Sequence, residues 1–384
     1  MKVMNWFEGT TQFIKELYGS SKFIPLHEPR FLGREKEYLS GCIDSTFVSS
    51  VGPYVTEFEK KTAEYTGALH AVAIVNGTSA LHLAMIVAGV TAGDEVLTQP
   101  LTFIATANAI GYTGAQPVFL DVDRETLGMS PESLLSFLES NAVVENEECI
   151  NKKTKRRIKA CVPMHTFGLP CKIVEIASIC NAYHIDLIED AAESLGSTYD
   201  RKHTGTFGKV GILSFNGNKI VTTGGGGMVI TNDEQVAKRV KYLSTQAKVP
   251  HPWEFFHDMT GYNFRMPNIN AALGLAQLEM LPMFLEKKRE LAELYRGYFE
   301  KEGITFVKEQ EKAFSNYWLN TLILSDKEER DNFLQYTNEK GVMTRPAWTL
   351  MNKLPMFQNC ITFNLKNANW LSERIVNIPS SVRI

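Results

Sequence analysis

The chain has 384 residues, 44% of them apolar and 22% charged, which is the composition of a folded globular protein and excludes broad disorder. Lysine and arginine total 40 against 43 acidic residues, so the net field offers no attraction to nucleic acid or to an acidic membrane. No apolar run reaches the ~20 residues that cross a bilayer, and the six cysteines hold no CxxC pair or ladder of spacings that would mark zinc or a disulfide framework. A cytoplasmic location is therefore expected.

At the start, MKVMNWFEGTTQFIKELYG lacks a signal peptide's apolar centre. Its Trp6, Phe7, Phe13, Ile14 and Leu17 predict a short amphipathic helix docked on the body. From about residue 70, short β-branched runs alternate with helical stretches. HAVAIV (70–75) precedes SALHLAMIVAG, DEVLTQ (94–99) precedes FIATANAIGYTG, and QPVFLDVD (116–123) follows. The acidic ENEE and the basic KKTKRR of Lys152–Arg157 read as a charged hairpin with the basic cluster at its tip. IKACVPMH (158–165) then precedes KIVEIASICNAYH, and IDLIED (185–190) follows. This alternation predicts a mostly parallel sheet with helices on both faces, and ligands in such sheets bind at the carboxyl ends of the strands. After Asn232 the pattern turns helical, and INAALGLAQLEMLPMFLEKKRELAELYRGYFEKEG reads as a connecting helix. KAFSNYWLNTLILSD (312–326) and DNFLQYTNEKG (331–341) read as strand and helix of a smaller α+β unit. The expected division is an N-terminal arm with a large domain over 1–250, and the connecting helix with a small domain over 251–384.

Three strand ends carry chemistry. In NGTSALHLAM (76–85) an Asn-Gly turn opens a helix, whose N-terminus suits a phosphate and equally an ordinary serine cap. Asp190 ends a very apolar strand, where a carboxylate needs a main-chain cap, an arginine or a protonated ring nitrogen as partner. Lys219 lies in SFNGNKIVTTGGGG (214–227) between an apolar strand and four glycines. Read as a mobile loop, it is solvated; partly desolvated beside Ile220 and Val221, its amine has a lowered pKa and is nucleophilic. Together these features supply a phosphate anchor, an anion for a pyridinium nitrogen and an amine for a Schiff base, the groups that pyridoxal phosphate requires. Phe103, at the next strand end, is the candidate to stack on its ring.

The chain resembles the DegT-type family of pyridoxal-phosphate nucleotide-sugar aminotransferases, within the aspartate aminotransferase fold group. Seven blocks carry the resemblance in the family's order: FVSSVGPYVTEFEKKTAEYTG, NGTSALHLA, TFIATANAI, VPMHTFGLP, IEDAAESLGS, SFNGNKIVTTGGGGMV and GYNFRMPNINAALGLAQLE. It implies an α/β fold: a fold type I large domain with a mostly parallel seven-stranded sheet and a smaller α+β C-terminal domain. It also implies that Lys219 binds the cofactor covalently and, once released, shuttles a proton, that Asp190 holds the pyridinium proton, and that Phe103 stacks on the ring. Gly77, Thr78, Ser79 and Ser214 are placed at the phosphate, joined by Asn263 from a second subunit, so the active site needs a homodimer. Glu193 falls near the ring hydroxyl. His165 falls beside the cofactor, with a hydrogen-bonded core histidine as its other reading. Relatives that are dehydratases carry histidine where Lys219 stands, so lysine here favours transamination, with the cofactor passing through pyridoxamine phosphate. The glycines are expected to turn the chain tightly behind Lys219 and leave room for a sugar nucleotide.

The implied reaction moves an amino group from L-glutamate to a nucleotide-linked keto sugar. FIPLHEPRFLG, QAKVPHPWEFFHD, TRPAWTLMNKLPMF and IVNIPSS are similar to the branch that makes UDP-4-amino-4,6-dideoxy-N-acetylglucosamine, on routes to bacillosamine and legionaminic acid. Arg345 and Trp348 are then candidates for the diphosphate and for a base or sugar face, and Arg265 for a phosphate or the donor's carboxylate. The family's usual tyrosine–proline–leucine–histidine pattern is replaced here by PAWTLMNKLP, so no histidine role transfers from it. The alternative keeps the cofactor and takes a GDP-linked keto sugar, as in perosamine synthesis. A ligand-sensing regulator would need a DNA-binding module for which the sequence leaves no room, and an NTP site lacks its GxxxxGK[ST] pattern.

Overall fold

The computed structural model describes residues 2–20 and 22–384. Helices α1 (Lys2–Tyr18), α2 (Glu35–Asp44) and α3 (Pro53–Thr66) precede β1 (His70–Ile74), α4 (Gly77–Val87), β2 (Glu95–Thr98), α5 (Ile104–Tyr112) and β3 (Gln116–Leu120). Next come α6 (Pro131–Asn141), a hairpin of β4 (Ala142–Glu145) and β5 (Glu148–Asn151), then β6 (Ile158–Val162), α7 (Ile173–Ala182) and β7 (Asp186–Asp190). The short β8 (Thr198–Tyr199) and β9 (Lys202–His203) lead to β10 (Val210–Ser214), β11 (Gly227–Thr231) and α8 (Glu234–Ser244). The long α9 (Asn268–Glu302) runs into β12 (Thr305–Phe306), β13 (Ala313–Phe314), β14 (Asn320–Ile323), α10 (Lys327–Glu339), β15 (Arg345–Pro346), β16 (Thr362–Phe363), α11 (Lys366–Ser372) and β17 (Ile375–Ile378).

The large sheet has the order β1-β11-β10-β7-β6-β2-β3-β16. Only β11 runs antiparallel to its neighbours; the other pairings are parallel. Its strands are apolar on both faces because both are covered by helices. On one face, Val72, Ile74, Ile212 and Val229 pack under α4, α5 and α8; their neighbours Ala73, Leu213, Met228 and Ile230 point the other way, toward α3 and α9. The seven expected strands are joined at the edge by the two-residue β16, sent back from the C-terminal part of the chain.

Two expectations about organisation change. The N-terminal arm does not belong with the large domain: α1 buries Phe7 and Ile14 in the C-terminal unit, where Trp6 stacks on Phe333 at 4.7 Å and Phe13 on Tyr298 at 4.0 Å. With β16 crossing the other way, the split at residue 250 is not a clean boundary. The hairpin tip is Asn146–Glu147, both at positive φ, and the KKTKRR cluster forms the following turn. Its Arg157 is drawn in by Asp94 at 2.8 Å. Among the described residues, no helix is long and apolar enough to cross a membrane.

Candidate active site

The carboxyl ends of β1, β7 and β10 open onto a cavity of about 380 Å³. Asn76, Gly77, Thr78, Phe103, Asp190, Glu193, Ser214, Lys219, Trp318 and Trp348 are among its walls. At the β1 end, the Asn76 side chain accepts the Ser79 N–H at 2.8 Å and caps α4. The first-turn N–H groups of Gly77 and Thr78 thereby remain available to an anion. Gly77 is required for contact: a Cβ there would lie 3.1 Å from the Ser214 Cβ, so its absence lets β10 bring the Ser214 hydroxyl beside the helix start.

Asp190, at the end of β7, is fully buried. Its Oδ2 accepts the Thr106 hydroxyl at 2.7 Å and its Oδ1 the Ala192 N–H at 3.2 Å. Burial raises its pKa from the ordinary aspartate value, against the lowering effects of Thr106, the Ala192 N–H and Lys219. Lys219 Nζ is paired with Glu193 Oε1 at 3.1 Å and sits 3.8 Å from the centre of the Trp318 ring, a cation–π contact. The lysine thus has a carboxylate and an aromatic face as partners, in place of the apolar surroundings its sequence neighbours suggested, because Ile220 and Val221 turn into the core. Glu193 also accepts the Phe167 N–H at 2.9 Å; burial raises its pKa while Lys219 opposes the shift.

This wall carries two buried carboxylates and one lysine, one cation short of balance. A protonated ring nitrogen at Asp190 would supply that cation, the α4 N-terminus with Thr78 and Ser214 could receive a phosphate, and Phe103, half exposed at the start of α5, could offer its ring to a flat ligand. The donor set fits pyridoxal phosphate.

Not every candidate residue meets at the cavity. Ser79 contributes its N–H to the cap and is absent from the lining. His165 is fully buried behind the wall: its Nδ1 accepts the Cys171 N–H at 3.2 Å, so Nε2 carries the proton toward Glu189 Oε2 at 3.1 Å. Both nitrogens are occupied, and the ring is committed to the core. Asn263 is exposed, its backbone bridged to Thr245, and does not reach its own chain's cavity. Arg265 faces a separate surface hollow with Lys248, His251 and His257. Arg345 is exposed on β15, while Trp348 lines the cavity and packs on Phe167 at 4.9 Å between ring centres.

The glycine run divides by position. Gly224 has a positive φ; Gly225 has open space around it; Gly226 lines the cavity. A Cβ on Gly227 would lie 2.6 Å from the Asn76 carbonyl and 2.8 Å from the Gly77 nitrogen. The run therefore serves mainly close packing: Gly227 lets β11 press against the turn that starts α4, and a Cβ on Gly226, although that residue lines the cavity, would strike Thr223 and Met266.

Sequence reading missed Thr106 and Trp318. Thr106 was legible in principle, three residues after Phe103 and so on the same helical turn. Trp318 lies about a hundred residues from Lys219 and arrives only through tertiary packing, its indole N–H donating to the Asn218 carbonyl at 2.7 Å.

The profile of the DegT/DnrJ/EryC1/StrS aminotransferase family matches residues 31–384. GDP-perosamine synthase of Escherichia coli O157:H7 is 39% identical over 94% of this chain and 93% of its own length. GDP-perosamine synthase of Vibrio cholerae is 37% identical over 93% of this chain and 94% of its own. Among solved structures, the aminotransferase TlmJ from Streptoalloteichus hindustanus is similar with a TM-score of 0.84 at 28% identity, covering 93% of each chain. The large mainly parallel sheet and the smaller unit are those of fold type I.

Proposed function

We propose that this chain, which belongs to the DegT/DnrJ/EryC1/StrS aminotransferase family and uses pyridoxal phosphate, moves an amino group from L-glutamate to the 4-keto carbon of a GDP-linked 4-keto-6-deoxyhexose. The observation that carries the choice of sugar is the near full-length similarity to two GDP-perosamine synthases. That similarity supports the GDP-sugar alternative better than the UDP-N-acetylhexosamine reading drawn from the sequence.

Bound in the cavity, pyridoxal phosphate supplies an electron-withdrawing ring and a carbon that carries the amino group between the two substrates. Lys219 Nζ would hold the cofactor through that carbon and, when free, would serve as the base that moves a proton at the carbon undergoing transfer. Glu193 Oε1 and the Trp318 face hold the free ammonium in place between these tasks. Asp190 keeps a proton on the ring nitrogen by remaining ionised against it. The α4 start, Thr78 and Ser214 grip the phosphate, and Phe103 covers the ring. Asn263 faces away from its own cavity, which fits a homodimer in which Asn263 of the partner subunit completes the phosphate site. Trp348 offers a flat wall to the sugar nucleotide; Arg265 and Arg345, on the surface, are left to the nucleotide diphosphate or the donor carboxylate.

The purified protein is to be incubated with L-glutamate and either GDP-4-keto-6-deoxymannose or UDP-4-keto-6-deoxy-N-acetylglucosamine, and the products weighed by mass spectrometry. Amination of the GDP sugar in preference is expected. Amination of the UDP sugar with the GDP sugar untouched overturns the assignment and restores the UDP reading.

A further inference from the structure

One hydroxyl at the buried end of the cavity has no part in the scheme above. Thr106 lies on the first turn of α5, three residues after Phe103, and its Oγ1 donates to Asp190 Oδ2 at 2.7 Å. A second hydroxyl, Thr102 Oγ1, is 3.0 Å from Thr106 Oγ1. A hydroxyl has a single proton to give. With the Thr106 proton committed to an ionised Asp190, Thr106 Oγ1 can only accept from Thr102, whose single proton also has Met164 Sδ at 2.9 Å and the Phe103 carbonyl at 3.4 Å within reach. The reverse direction, with Asp190 donating to Thr106, requires a neutral Asp190, which cannot pair with a protonated ring.

We propose that Thr106 is a positioning residue that holds Asp190 in its ionised form facing the cofactor's ring nitrogen. The proposal rests on the reading of Asp190 as the partner of that nitrogen. The other charged groups acting on Asp190 are Lys219, which favours the anion, and Glu193, which opposes it. Among the described residues, only Thr106 and the Ala192 N–H hydrogen-bond to the carboxylate oxygens. Because Phe103 and Thr106 share one helical turn, the ring's face and the carboxylate beneath its nitrogen are set by the same piece of backbone.

The test compares Thr106→Val, which keeps the side chain's shape, with Thr106→Ser, which keeps its hydroxyl. Dissociation constants are measured on the full chain for pyridoxamine phosphate and for its analogue carrying CH in place of the ring nitrogen. Neither ligand needs a covalent link to Lys219. Wild type should prefer the natural ligand. A hydrogen bond to a charged group is large enough that Thr106→Val should weaken that ligand roughly tenfold to a hundredfold and leave the analogue unchanged. Thr106→Ser should bind nearly as wild type. Equal weakening of both ligands by Thr106→Val, or of neither, overturns the proposal, as does a serine variant no better than valine. If wild type itself binds both ligands equally, the role of Asp190 fails first and that of Thr106 falls with it, a result distinct from a failure confined to the variants.

Discussion

Gly227→Ala is the sharpest perturbation of the way this sheet builds its phosphate site. Gly227 is the first residue of β11 and lies between Ile74 of β1 and Ser214 of β10, so no outward shift is open to it without breaking two strand pairings. The added methyl would sit 2.6 Å from the Asn76 carbonyl carbon and oxygen, roughly 1 Å inside the ~3.5–4.0 Å of an ordinary contact. The neighbour is backbone and cannot swing aside, so the Asn76–Gly77 peptide must move and the cap on Ser79 loosens. Overpacking of this kind costs about 1–3 kcal/mol and a weakened cap up to ~1 kcal/mol more, giving a loss of about 2–3 kcal/mol. At roughly 2 cal/mol/K of unfolding entropy per residue, a 384-residue chain then melts about 3 °C lower. Gly225→Ala is the control, because a Cβ there meets nothing within 4 Å. Both variants are melted without cofactor and titrated with pyridoxal phosphate. The expected result is a lower melting temperature and weaker cofactor binding for Gly227→Ala alone. Equal behaviour of the two variants would refute the close-approach argument.

Three further outcomes follow from the same geometry. Lys219→Ala should bind the cofactor without the visible absorption band of its lysine-linked form, and L-glutamate should bleach that band in wild type; a wild-type band that glutamate leaves unchanged counts against transamination. Asp190 and Glu193 have raised pKa values, so these two sites bind more protons in the native state than in the unfolded chain, and their contribution to cofactor-free stability should fall as pH rises above about 4, against the opposite contribution of Asp94 and Asp123, whose pKa values are lowered. Bound cofactor, by pairing its ring proton with Asp190, should flatten that fall in a urea titration across pH, and an identical slope with and without it would contradict the pairing. Mixing Lys219→Ala with Asn263→Ala subunits should restore about one quarter of wild-type activity, since half the random dimers are mixed and each has one intact site; no recovery after subunit exchange would exclude a shared site.

How far the sequence could be read depended on how local the determining physics was. Asp190 at the end of an apolar strand and Phe103 at the start of α5 each announce themselves within a few residues, because strand ends and helix starts are governed by neighbouring backbone; the cap of α4 reads in the sequence as a serine, where Asn76 one turn earlier makes it and Ser79 only donates its N–H. The N-terminal arm was read correctly as an amphipathic helix, but the surface that receives it is built by α9 and α10, hundreds of residues on, so its docking partner had no local signature. His165 stood in a block that suggested a place beside the cofactor; the pairing of both its nitrogens with Glu189 and Cys171 depends on three separated segments. The glycine run was legible as a demand for space, yet which glycine lines the cavity and which serves strand packing is decided by a turn 150 residues away.

Lys219 shows why the two units have to meet at the site. Its carboxylate partner, Glu193, comes from the large unit, while the aromatic face against its ammonium, Trp318, comes from the segment leading into β14 of the small sheet. Between them stands Asn316, whose side-chain NH₂ donates to the Glu193 and Leu195 carbonyls at 2.9 Å each, while its side-chain oxygen accepts the Trp318 N–H at 2.8 Å. One amide thus fixes both partners of the lysine relative to each other, and the close approach of Gly168, where a Cβ would collide with the Asn316 oxygen, leaves it no alternative position. Registration between the units is therefore written into the geometry of the amine that performs the chemistry. A large shift of the small unit against the large one would move Trp318 off Lys219 while leaving Glu193 in place, so the lysine keeps both partners only while the two units hold this arrangement.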